Sequence, residues 1–344
     1  MRAMEHIAQI EYSEGLSNIY LASKEEILPD NTDLAVFDGN TAALIPERNP
    51  ERSIALPPGE AAKNWQSVER IINRALSLSM ARDSLMVGFG GGVVTDVTAF
   101  AASIYMRGCS LILVPTTLLA MVDASIGGKT GFDYGGVKNL LGTFYMAKEV
   151  RICPELLKTL PEDQFRSGMS EVIKHALLSG SEELLDLIID EKESVLNRDL
   201  QVLGRLIKLA VKVKTDMVSE DFKEKGKRAF LNLGHTFGHA LESATNFSRW
   251  SHGDAVAWGI LRSFDLGERL GITDPVWSEK VRKIITEYGF DIVTPQVAAG
   301  EIKKAMNDDK KKKNGRLRFV MMKGQGKPVL EEVPEKDLNA VLGI

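Results

Sequence analysis

The sequence predicts an α/β N-terminal domain built on a mostly parallel sheet, followed by an all-α C-terminal domain. Three observations carry this reading. Short apolar runs alternate with helical patterns through the first half, and the strand signal fades after about Pro154. The chain also has 344 residues, more than one hydrophobic core usually organises. The expected domains are residues 1–155 and 156–344, with a cleft between them.

Taken in order, Asp33 to Phe37 (DLAVF), Ser84 to Val87 (SLMV) and Leu111 to Val114 (LILV) read as buried strands that end in polar or Gly/Pro loops. Between them, Ala61 to Leu78 has amphipathic helical spacing, and Val93 to Met106 is a mostly apolar helix. In the second half, Ser170 to Leu178, Glu182 to Ile189, Leu200 to Val218, His235 to Ala244 and Asp254 to Leu270 keep a helical period. Gly271 follows the last of these, where a helix stop is expected. The run Lys310 to Lys313 reads as a solvated loop.

Composition excludes several classes. With 44% hydrophobic and 26% charged residues the chain is an ordinary globular one. A net charge of −4 gives no electrostatic reason to bind nucleic acid. No apolar run reaches the ~18 residues of a membrane span, and the N-terminus is too charged for a signal peptide. Cys109 and Cys153 alone make no disulfide framework, which fits a reduced, cytoplasmic setting.

Chemistry concentrates in three places. Gly88, Gly90, Gly91 and Gly92 lie between a strand and a helix, the context of a nucleotide-binding, phosphate-cradling loop or equally of a tight structural turn, since Val93 breaks the GxGxxG pattern. The segments GGKTG and GGVKN put Lys129, Lys138 and Asn139 on glycine-rich loops suited to anions, while Asp123 spoils a Walker A match. Four of the five histidines, His175, His235, His239 and His252, fall in one stretch. His235 and His239 share a helix face with Glu242, and Glu171, Lys174 and His175 share another. Imidazoles with a carboxylate suit Zn²⁺, although hydrogen-bonded histidines would give the same pattern.

GGGVVTDVTAF, YMRG, VPTTLLAMVDASIGGKTG, KNLLGTFY, TLPEDQFRSGMSEVIKHALL, KRAFLNLGHTFGHALE and HGDAVAWG together resemble the 3-dehydroquinate synthase family of sugar-phosphate cyclases. The resemblance runs from about Asp38 to Arg318. It implies an NAD-binding α/β domain, a helical metal- and substrate-binding domain, and a homodimer. The implied metal, Zn²⁺ or Co²⁺, would be held by Glu171, His235 and His252. NAD would be met by Asp38, Asn40, Glu60, Lys63, Gly91, Gly92, Val93, Asp96, Thr116, Thr117, Lys129, Lys138, Thr159 and Leu160.

The same resemblance implies conversion of DAHP, a seven-carbon keto-acid phosphate, to 3-dehydroquinate. The steps would be transient oxidation at C5, phosphate elimination, re-reduction and aldol closure. Lys129, Asn139, Asn232 and His239 would hold the phosphate, with Arg107 of a neighbouring subunit and Lys310 or Lys311. Lys214 and Arg228 would hold the carboxylate, and Asp123 and Lys174 would face the hydroxyls near the metal. Thr95, Ala99, Gln164 and Phe222, and the proline-free FYMAKEV segment, depart from the family pattern. Other readings are an aminodehydroquinate or 2-deoxy-scyllo-inosose synthase, a metal-dependent polyol dehydrogenase, and a non-catalytic NAD sensor. A carboxylate clamp is superfluous for an inosose synthase, as a phosphate clamp is for a polyol dehydrogenase.

Overall fold

The computed structural model describes residues 4–13, 15–45, 49–224, 226–245, 250–291, 297–312 and 317–344, with the side chains of 308–312 excepted. The chain forms two compact units, 1–165 with 194–223, and 166–193 with 224–344. This division differs from a single cut after residue 155, because the segment 194–223 packs with the first unit.

The first unit opens with β1 (Glu5–Tyr12), β2 (Gly15–Leu21), β3 (Leu34–Asp38) and β4 (Ser53–Leu56). There follow α1 (Trp65–Ser77), β5 (Leu85–Gly90), α2 (Gly92–Ile104), β6 (Ser110–Pro115), β7 (Lys129–Tyr134), β8 (Val137–Phe144) and β9 (Glu149–Ile152). Seven strands make one sheet in the order β1-β2-β9-β6-β5-β3-β4, parallel except for the β1–β2 pair. The central strands are apolar throughout: β3 and β5 are buried at every position, as expected for a sheet covered on both faces. The chain runs outward from β3 to β4 and then crosses back to β5. The order therefore reverses at β3 and β5, and the carboxyl ends of these strands are where such sheets bind ligands.

In chain order the remaining helices are α3 (Glu162–Leu178), α4 (Glu183–Asp190), α5 (Lys192–Leu196) and α6 (Leu200–Glu220), the last of which packs on β1. The second unit continues with α7 (His235–Ala244), α8 (His252–Arg269), α9 (Pro275–Glu287) and α10 (Ala299–Lys312). It ends in β10 (Arg318–Met322), β11 (Pro328–Glu332) and α11 (Glu335–Leu342). The unit is helical with one antiparallel hairpin added, so the all-α expectation is corrected at β10–β11. Its core gathers Phe237, Leu241, Trp258, Met306, Phe319 and Met321. Lys310 to Lys312 continue α10 and do not form the expected loop. Among the described residues no helix is long and apolar enough to cross a membrane.

Candidate active site

In the first unit the glycine loop closes β5 and opens α2. A Cβ on Gly90 would meet Val94 at 2.6 Å, so the turn has no room for a side chain there. No side-chain hydrogen bond caps α2, so its first backbone N–H groups and positive dipole end are left to other partners, as anion binding would require. Thr95 and Ala99 are both buried, and the Thr95 hydroxyl donates to the Gly92 carbonyl at 3.0 Å. The helix absorbs both departures.

Asp38 ends β3 at the reversal of strand order, and its Oδ1 accepts from the backbone N–H groups of Asn40 and Thr41. Lys63 and Asp96 form a buried pair at 2.7 Å. Burial opposes the Lys63 charge, yet Asp96, with Glu60 and Asp133, raises the Lys63 pKa, while burial also pushes the Asp96 carboxyl upward against the pull of Lys63. Lys138 lies 3.7 Å from Glu60. Thr116 follows β6 and donates its N–H to the Gly90 carbonyl, tying its loop, which continues into Thr117, to the glycine turn. Thr159 closes a 3₁₀ turn, Pro154–Thr159, and Leu160 caps it.

Lys129 and Asn139 sit apart on the β7–β8 hairpin. Lys129 opposes Phe144, whereas the Asn139 N–H donates to Asp133 near the turn. At ~3.3 Å per residue their backbones are separated by roughly 13 Å along the strand. Asp123 lies in a single π-helical turn, Ala120–Ala124, and its Oδ1 is 2.6 Å from Lys214 Nζ on α6. Arg107 follows α2 in a 3₁₀ turn, with positive φ at both Met106 and Arg107. Phe222 stacks on Tyr12 at 6.1 Å and meets Phe144 at 5.5 Å, so this departure from the family pattern builds an aromatic cluster. Gln164 is exposed on the first turn of α3 and donates to Asp163.

In the second unit, glycines bring the histidines together. A Cβ on Gly259 would meet the Gly234 carbonyl oxygen at 2.0 Å, so α7 and α8 approach at backbone contact. A Cβ on Gly253 would meet Ser167 Cα at 2.3 Å, which presses the start of α8 onto α3. Ser251 caps α8 by accepting from the Asp254 N–H at 3.1 Å, and His252 becomes the first residue of the helix. The expected start at Asp254 is two residues late, because this cap lies ahead of the periodic pattern.

The outcome is a group of Glu171, His235 and His252 whose ligand atoms all lie within 4.8 Å of one another. Glu171 Oε1 is 3.6 Å from the Nε2 of each imidazole, while its Oε2 contacts Lys174 Nζ directly. Tetrahedral Zn²⁺ with bonds of ~2.0–2.1 Å separates its ligand atoms by about 3.3 Å, so the spacing fits a metal better than hydrogen bonds. His235 Nδ1 lies 3.2 Å from the Leu233 carbonyl oxygen, which orients the ring. Burial and the Lys174 ammonium hold the His235 pKa well below the usual value, leaving the neutral imidazole a metal requires. In the metal-free protein burial opposes the charge on His252, but Glu171 and Glu242 raise its pKa to about 9.

His239, Glu242 and His252 form a second group of this kind. His239 is exposed, with its ring 5.2 Å from that of His235. His175 is fully buried. Arg228 is buried on the 3₁₀ turn before α7, and Asn232 at the end of that turn donates to Glu224 at 2.6 Å. Lys311 and Lys310 have side chains outside the described residues. Residue types and spacing alone did not single out Ser167, Leu233 or Glu242 as supports of this site; only Glu242 carried a signal, its place on the histidine face.

Among solved structures, 2-epi-5-epi-valiolone synthase from Streptomyces hygroscopicus subsp. jinggangensis, with NAD+ and Zn2+ bound, matches with a TM-score of 0.86 at 24% identity. The match covers 97% of this chain and 96% of that one. A 2-deoxy-scyllo-inosose synthase complexed with carbaglucose-6-phosphate, NAD+ and Co2+ also gives 0.86 at 24%, over 97% and 98%. The chain thus has the fold of these two synthases. Residues 53–167 match the family model for the 3-dehydroquinate synthase N-terminal region, and residues 168–312 match that for the C-terminal region. The 3-dehydroquinate synthase of Acidithiobacillus ferrooxidans is 39% identical, over 89% of this chain and 87% of the relative. That of Legionella pneumophila is 38% identical over 94% and 87%. The chain belongs to the 3-dehydroquinate synthase family.

Proposed function

We propose that the chain is a 3-dehydroquinate synthase, a carbon–oxygen lyase that converts DAHP to 3-dehydroquinate and phosphate with NAD and Zn²⁺ or Co²⁺. The observation that carries the reading is Glu171 Oε1, equidistant from two Nε2 atoms, with Lys174 on the other oxygen. When bound, the dinucleotide supplies reversible oxidation at C5 and the ion supplies Lewis acidity toward the adjacent hydroxyls. Glu171, His235 and His252 hold the ion. The N–H groups at Gly91, Gly92 and Val93 receive the pyrophosphate. Asp38, Asn40, Glu60, Lys63, Asp96, Thr116, Thr117, Lys129, Lys138, Thr159 and Leu160 complete the dinucleotide site.

Lys174, beside Glu171, holds a substrate hydroxyl and moves its proton, and Asp123 does so from the π-turn. Lys129, Asn139, Asn232, His239 and Lys311 bind the phosphate, and Lys214 and Arg228 fix the carboxylate, which turns binding into orientation. Arg107 from a second copy completes the phosphate site in a cytoplasmic homodimer. An apolar surface supports the dimer: Leu140, Leu141 and Phe144 are exposed on β8, whose outer edge has no strand partner among the described residues. Ile104 and Met106 are exposed close by, where Ser103 bonds Thr143 at 3.0 Å.

The test is phosphate release from DAHP by protein loaded with Zn²⁺ and NAD⁺. Product should accumulate far beyond the NAD⁺ supplied, with no matching rise in NADH absorbance. Stoichiometric NADH would instead identify a polyol dehydrogenase.

A further inference from the structure

His252 presents both ring nitrogens to carboxylates. Its Nε2 is 3.6 Å from Glu171 Oε1, and its Nδ1 is 3.5 Å from Glu242 Oε2. Glu242 lies on α7, two turns beyond His235, and is 4% exposed. Burying a carboxylate is costly unless something charged or hydrogen-bonding faces it, so its presence here calls for a role. The three proposed ligands also differ in exposure. Side-chain exposure is 1% for Glu171, 13% for His235 and 34% for His252. The packing that immobilises the other two is therefore weakest around His252, whose ring most needs a second anchor. His235 has that anchor in the Leu233 carbonyl. A metal-binding imidazole carries its proton on the other nitrogen, and an acceptor there fixes both tautomer and ring orientation.

Resting on the metal reading above, we propose that Glu242 is a positioning residue that grips His252 through Nδ1 and turns Nε2 to the metal. Glu242 acts through His252 and does not itself touch the ion or the substrate. The close α7–α8 crossing at Gly259 brings the two side chains within reach.

The experiment titrates Zn²⁺ into metal-free, full-length protein, in competition with a chromophoric chelator. Glu242→Gln, which keeps the shape and removes the charge, should weaken Zn²⁺ binding 10–100-fold. Glu242→Asp should recover part of that loss, and NAD⁺ affinity should stay unchanged as a check on the fold. Unaltered Zn²⁺ affinity in Glu242→Gln would overturn the positioning role while leaving the metal reading intact. Failure of the parent protein itself to bind Zn²⁺ would overturn both. Two ions per parent chain falling to one in Glu242→Gln would make Glu242 a direct ligand, and would also overturn the proposal. Histidine nitrogen resonances of the unaltered zinc protein give a reading independent of any variant. They should show a slowly exchanging proton on His252 Nδ1, and coordination through Nδ1 would refute the assignment.

Discussion

Lys214 Nζ lies 2.6 Å from Asp123 Oδ1, so an ammonium on α6 is neutralised by a carboxylate from the π-turn after β6. Both side chains are largely buried, and truncating either takes an opposite charge at 2.6 Å away from the other. Lys214→Ala and Asp123→Ala should each destabilise the ligand-free protein. The double variant should lose less than the sum, with a coupling of ~0.5–3 kcal/mol in urea unfolding. Strict additivity would mean that the pair contributes nothing in solution.

Arg228 is 1% exposed, and a guanidinium so buried should be worth most when a carboxylate meets it. Arg228→Ala should lower kcat/KM by an amount equivalent to about 2–5 kcal/mol. An analogue without the carboxylate should then lose little further affinity. A variant that still strongly prefers the carboxylated ligand would remove Arg228 from the clamp.

Gly253 offers a steric test. Alanine within a helix is ordinarily more favourable than glycine by ~1 kcal/mol, but here the added methyl meets the Ser167 backbone at 2.3 Å. Gly253→Ala should therefore destabilise by ~1–3 kcal/mol and lower Zn²⁺ affinity, because α8 carries His252. Unchanged stability and metal content would show that α3 and α8 can separate at no cost.

The dimer proposal predicts complementation. Arg107→Ala and Lys174→Ala proteins, each inactive alone, should recover activity on mixing through hybrid dimers. Absence of recovery despite demonstrated subunit exchange would place Arg107 in its own chain's site.

Burial pushes the thiols of Cys109 and Cys153 up to about 11. At pH 8 only about one thousandth of each is thiolate, so disulfide reagents should leave the native protein unmodified and titrate two groups after unfolding. Since the unfolded thiols ionise near 9, their neutral burial should cost stability as pH rises from about 9 toward 11. Rapid reaction of either thiol in the native state would contradict the buried placement.

The elements that sequence patterning located best are those with a strong apolar signal, on one face for α7 and along the whole run for the central strands. α7 was expected over the residues it occupies, and β3, β5 and β6 were found within a few residues. The histidine cluster was legible because imidazoles are scarce in this chain. What stayed unread has physical causes. β7 and β8 are interrupted by Gly131 and Gly142, which weaken the strand pattern on either side of the Gly135–Gly136 turn. β1 alternates only weakly, with Ile10 its single buried residue. By residue pattern alone His235 pairs with His239, four positions on, because helical spacing reports neighbours along one helix. The partnership with His252 depends on how two helices cross, which here rests on glycines, and glycines carry no apolar signal.

The return of α6 to the first unit has a consequence for synthesis on the ribosome. Residues 1–165 emerge well before 194–223, and β1 waits meanwhile without the helix that covers it. In that interval the second unit's opening segment, 166–193, has already been made but lacks α7 and α8. The first unit cannot close until residue 223 has emerged, so until then the nascent chain holds two incomplete cores at once. Severing it at any single peptide bond would strand part of at least one of them.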